Sequence, residues 1–80
     1  MEIEKKIMLE KLKRDLINNE ENTKAVVVLY DQAKELLSET SDPVEVLNLS
    51  DEICFWEERL SKYRFERRRL ILKMEKINDF

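Results

Sequence analysis

The stretch "SETSDPVEVLNLSDEI", Ser38 to Ile53, holds the only proline of an 80-residue chain. Proline fixes its own φ near −65° and pushes the preceding residue away from helical geometry. It is also favoured as the first residue of a helix. Asp42 before it is a good N-cap, and Glu45 falls three residues further on, as a capping box requires. The stretch therefore reads as a stop followed by a start. A first helix ends near Glu39, a turn covers residues 40–43, and a second helix begins at Pro43. Ser50 offers a second cap, which would split off a short helix over 43–48.

Working outward, both flanks carry the same period. Leu9, Leu12, Leu16, Asn19, Thr23, Val26, Tyr30, Ala33 and Leu37 recur at alternating steps of three and four. So do Leu49, Ile53, Trp56, Leu60, Tyr63, Arg67, Leu70, Met74 and Ile77. Each set is a heptad seam with polar interruptions. Folding the chain back at Pro43 makes the numbers of facing residues sum to 86. Leu37 then meets Leu49, Ala33 meets Ile53, Tyr30 meets Trp56, Val26 meets Leu60 and Leu16 meets Leu70. The interruptions meet as well, Asn19 with Arg67 and Thr23 with Tyr63. The breaker position and the polar layers select the same register independently. The expected fold is all-α: an antiparallel two-helix coiled-coil hairpin, with one domain over 1–80 built of helices 2–39 and 43–78. The alternative breaks the first helix at "NNEENT", Asn18 to Thr23, where Asn and Thr are poor helix formers and good caps. That would give three helices.

Composition supports long helices. Charged residues make up 41% and hydrophobic residues 42%, and glycine is absent. So short a chain buries only about 60% of its unfolded surface, and a two-helix hairpin covers little beyond its seam. Phe55, Phe65, Ile71 and Leu72 fall off the seam of the second helix. Ile3, Ile7, Ile17, Val27, Val28, Leu29 and Leu36 fall off the first. Surplus of this kind marks an interface. It predicts self-association, with a homodimer closing a four-helix bundle. The alternative is a three-helix monomer that folds these residues inward. Phe55, Phe65, Arg68, Arg69 and Leu72 are the candidate partner-binding residues.

The catalytic inventory is short. The chain has no histidine, the usual general base and metal ligand. Without glycine there is no phosphate-cradling loop and no dinucleotide fingerprint. Cys54 has no histidine to activate it, and reads as a small, half-buried helix residue. Asp51, Glu52, Glu57 and Glu58 cluster, but carboxylate bundle sites pair glutamate with a Glu-x-x-His motif. No catalytic residue, metal ligand or cofactor is assigned.

Net charge is −3 and the pI about 5.1, unlike a dedicated nucleic-acid binder. Residues 1–42 hold seven basic and ten acidic side chains, and residues 43–80 eight of each. Within the second half, Arg59 to Lys73 has seven basic residues against Glu66 alone. Arg67 lies on the seam while Arg64, Arg68 and Arg69 point to other faces, so the four form no single stripe and the segment fits salt bridges to Asp15, Glu20 or Glu21 better than a nucleic-acid groove. The opening "MEIEKKIMLEKLK" lacks the apolar core of a signal peptide. The longest apolar run, "AVVVLY", is too short to span a bilayer. These features lead to the expectation of a cytoplasmic protein with a protein partner and no membrane segment.

Residues 29–53 also carry a resemblance. Val46, Leu49, Ser50, Glu52 and Ile53 stand in the order found where the second helix opens in the small sporulation-type aspartyl-phosphate phosphatases of Gram-positive bacteria. That family's pattern is Val or Ile, two residues, then Leu-Ser-Gln-Glu-Leu-Asp. Here Asp51 replaces the glutamine, and Cys54 replaces the aspartate on which the family relies. The resemblance implies a short helical hairpin that binds a phosphorylated response regulator, with phosphatase activity as the alternative function. Faster loss of phosphate from a receiver domain would support it. No change, with Cys54→Asp also silent, would remove it.

Overall fold

The computed structural model describes residues 2–79. Two helices make up the fold, α1 (Glu2–Glu39) and α2 (Pro43–Asn78), and they lie side by side as an antiparallel hairpin. The molecule measures 61 × 15 × 13 Å. The long axis matches the ~57 Å expected of a 38-residue helix rising 1.5 Å per residue. Its radius of gyration, 18.1 Å, exceeds the ~12 Å of a compact domain of equal length. This is a rod.

The bend is built from side-chain chemistry. Thr40 N–H donates to Leu36 O at 3.1 Å and closes α1. The Asp42 carboxylate accepts from Val44 N–H at 3.0 Å and caps α2. Glu45 does not reach back to the Asp42 N–H as a simple capping box would have it. Thr40 stands between them: Asp42 N–H donates to Thr40 Oγ1 at 3.3 Å, and that hydroxyl donates to Glu45 Oε2 at 2.9 Å. The three-residue turn is thus tied from both sides.

Neither candidate break occurs. Ser50 does not cap a new helix, because its hydroxyl donates back to Val46 O at 2.7 Å. At "NNEENT" the polar groups are absorbed without unwinding the chain. Thr23 Oγ1 donates to Asn19 O at 2.7 Å, and Asn19 turns inward across the hairpin. Helix α1 runs unbroken and the three-helix alternative is not formed.

Burial follows the seams. On α1 every residue of the expected seam is buried or half-buried, from Leu9 to Leu37, with Asn19, Val26 and Ala33 the most enclosed. On α2 the same holds from Leu49 to Ile77, with one departure. Arg67 occupies a seam position but its side chain is 56% exposed. Its long stem lets the guanidinium leave the interface for water. Among the polar contacts that cross the hairpin, Tyr30 to Glu57 and Glu20 to Arg67 lie within one of the sum of 86, while Asn19 bonds Tyr63, one helical turn from its expected facing residue Arg67.

Candidate interaction surfaces

The core is one layer thick, and the surface records it. The accessible area is 6628 Å², where a compact protein of this mass exposes ~5,100 Å². Among the described residues, thirteen large apolar side chains are exposed. They include Phe55, Phe65 and Leu72, together with Ile3, Ile7, Ile17, Val27, Val28, Leu29 and Leu36 from the expected surplus. Met8, Val44 and Leu47 join them, and sequence reasoning passed over these three. Ile71 departs from expectation. It is half-buried, in a shallow depression shared with Arg64, Arg67, Arg68 and Leu72.

Four of the five candidate partner-binding residues share a face. Phe65, Arg68, Arg69 and Leu72 follow the i, i+3, i+4, i+7 spacing of one helical stripe. All four are exposed, and the stripe lies opposite the seam, directed away from α1. Two arginines therefore flank two apolar anchors. Phe55 is also on the outer side of α2, but ten residues or ~15 Å earlier along the helix. Its ring meets Trp56 edge-on at 4.8 Å between centroids, and the Arg59 guanidinium lies 5.4 Å from its centre.

The arginines are mostly unengaged within the chain. Arg67 pairs with Glu20 at 3.9 Å. Among the described residues no hydrogen bond or ion pair engages Arg64, Arg68 or Arg69, so of the expected partners Asp15, Glu20 and Glu21, Glu20 alone is used there, and by Arg67. The Arg67–Glu20 contact joins two groups about half exposed, so it adds under ~1 kcal/mol.

Aromatic residues on the seam have a packed body and a wet edge. Tyr30 Oη donates to Glu57 Oε1 at 3.0 Å, and Trp56 Nε1 donates to Glu52 Oε1 at 3.2 Å. The Lys34 ammonium sits 5.0 Å from the Tyr30 ring centre. Two members of the acidic cluster are thereby explained as partners for half-buried aromatics. Spacing shows that Tyr30 and Glu57 lie near one another, but not which polar edge is turned outward.

Cys54 is exposed rather than half-buried. It lies one position off the seam residue Ile53, on the open side of the helix. Its surroundings are Glu57, Glu58, Ser61 and Lys62 in a shallow depression. Ser50, which precedes it in the resemblance to the phosphatases, spends its hydroxyl on the α2 backbone. Among the described residues no three histidine, cysteine, aspartate or glutamate side chains converge on a common point, and no helix is long and apolar enough to cross a membrane.

The most enclosed polar group is Asn19, 3% exposed. Its Nδ2 donates to Tyr63 O at 3.0 Å, while its Oδ1 is buried with no partner. An orphaned buried acceptor costs about 1–3 kcal/mol. No family model, curated protein or solved structure matches the chain.

Proposed function

We propose that this chain is a small non-enzymatic interaction module, which self-associates and binds a protein partner as a regulator, inhibitor or assembly factor. The observation that carries this reading is the surface excess. A rod with ~1,500 Å² more surface than a compact protein of its mass leaves aromatic and aliphatic side chains in water along both helices. Specific interfaces bury about 800 Å² per partner, so the surplus is ample for one. Aromatic residues and arginine are the types most enriched in interface anchors, and Phe65, Arg68, Arg69 and Leu72 present both on one face.

The test is Phe65→Asp, followed by sedimentation velocity over a wide concentration range beside circular dichroism. Phe65 is 64% exposed, so folding is expected to survive while association weakens. Loss of helix in the variant would make Phe65 a core residue and overturn the reading. A wild-type chain that stays monomeric at every concentration would remove its self-associating part.

A further inference from the structure

The charge along the rod is segregated. Residues 28–58, the half that holds the turn, carry nine acidic side chains and one basic one, Lys34. The open half carries nine acidic and fourteen basic. Within α2 the division is sharper. Residues 43–58 hold five acids and no base, and residues 59–73 hold seven bases and one acid. The helix dipole favours acids at the first turn and bases at the last, but its influence fades within a turn of each end. It does not account for Asp51 to Glu58 or for Arg59 to Arg69 in the interior. Nor does α1 neutralise the acids, because the α1 segment beside them, residues 28–39, is itself acidic by three to one, and beside the bases residues 17–27 offer only Glu20 and Glu21 against Lys24.

The outer face of α2 carries a second heptad period. Asp51, Phe55, Glu58, Lys62, Phe65 and Arg69 recur at alternating steps of four and three, and all are exposed. We propose that two copies of the chain pair antiparallel along this face, with facing residues summing to 120. This rests on the self-associating reading above and names its surface. Phe55 then meets Phe65 of the second copy, Glu58 meets its Lys62, and Asp51 meets its Arg69. Each contact occurs twice by the two-fold symmetry. The heptad also permits sums of 113 and 127. Since α2 spans 43–78, only a sum near 121 overlaps its whole length, and the other two each forfeit about 10 Å of contact. The 113 register further sets Phe55 against Glu58. A parallel pair would stack acid on acid and base on base, so the charge pattern selects the antiparallel one. A standard interface takes about 800 Å² per chain, about half of the surface excess.

Asp51 and Arg69 test the pairing cleanly. They are 18 residues or ~27 Å apart on one helix, so any compensation between them arises between chains. Asp51→Arg alone, and Arg69→Asp alone, place like charges at both symmetric contacts and are expected to raise the dimer dissociation constant about tenfold at low salt. The double exchange, Asp51→Arg with Arg69→Asp, restores it. An equimolar mixture of the two single variants forms the heterodimer that neither forms with itself. Sedimentation velocity reads association, and circular dichroism confirms that each variant remains helical. A dimer indifferent to the single changes, or not rescued by the exchange, overturns this face and register while self-association stands. A folded wild-type monomer at every concentration overturns both, and leaves the stripe to a different protein.

Discussion

Asn19→Leu is expected to stabilise the hairpin by about 2 kcal/mol. The change deletes the Nδ2 bond to Tyr63 O, a net loss of ~0.5–1.5 kcal/mol. Tyr63 O belongs to the interior of α2 and retains its place in the helical ladder. Against this, the buried and unpartnered Oδ1 disappears, which recovers ~1–3 kcal/mol. A leucine at a site only 3% exposed adds ~1.5–3 kcal/mol of apolar burial. Extra volume is the remaining cost, ~1–3 kcal/mol where a core is full. Here the facing seam position belongs to Arg67, whose head group lies outside and whose flexible stem can move aside, so the lower end of that cost is expected. Urea unfolding at fixed protein concentration reads the result. With a slope of ~1–1.5 kcal/mol per molar for a chain this small, the midpoint should rise by ~1.5–2 M at unchanged slope. A lower midpoint would refute the reasoning. It would mean that the amide bond outweighs the orphaned acceptor, or that Oδ1 is satisfied after all.

Two further changes probe the seam and the turn. Ala33→Glu sets a carboxylate at a position 2% exposed that faces Ile53, beside Trp56, and should cost more than ~3 kcal/mol; unaltered thermal unfolding would refute the 86 register. Asp42→Ala removes the cap on Val44 N–H and should cost ~1 kcal/mol, measured as a lower urea midpoint with the helix content of the folded state intact.

Helix type, hairpin direction and register were legible because they depend on spacing. One proline and two heptad seams leave few ways to bury the leucines. The failures share a different cause. Arg67 lies on the seam by count yet leaves it, because a long side chain pays little to carry its charge to water while its stem stays packed. Cys54 reads as half-buried by residue type, but its face is turned outward and burial is a property of the face. Thr40 as a relay between Asp42 and Glu45 depends on the path of the turn, which no period describes. Ile71 is half-buried although off the seam by count, because it directly follows the seam residue Leu70 and shares a depression with Arg64, Arg67 and Arg68. Of the candidate surface, the arginine–phenylalanine stripe was visible as residue types. That four of those residues share one outward face became clear once the direction of the seam was known.

The two faces of α2 need different kinds of specification. Toward α1 the partner is covalently attached. A three-residue turn fixes direction, and its hydrogen-bonded ties fix register, so the seam tolerates a costly Asn19 and an Arg67 whose head group leaves it without losing its geometry. Toward a second copy nothing is attached. Exposed apolar residues alone would let Phe55, Phe65 and Leu72 slide by a heptad or reverse direction at little cost. Charge segregated along the helix removes the freedom to reverse, since a parallel pair brings like charges together, while the length of overlap disfavours a slip by a heptad. The inner seam is therefore written in apolar residues with few charges, and the outer one in charges with few apolar residues. Salt should separate them. Raising ionic strength shortens the screening length to about 3 Å at 1 M. It should weaken dimerisation across the outer face while leaving the hairpin's helical signal unchanged, and a dimer that tightens with salt would show the outer face to be held by its apolar residues alone.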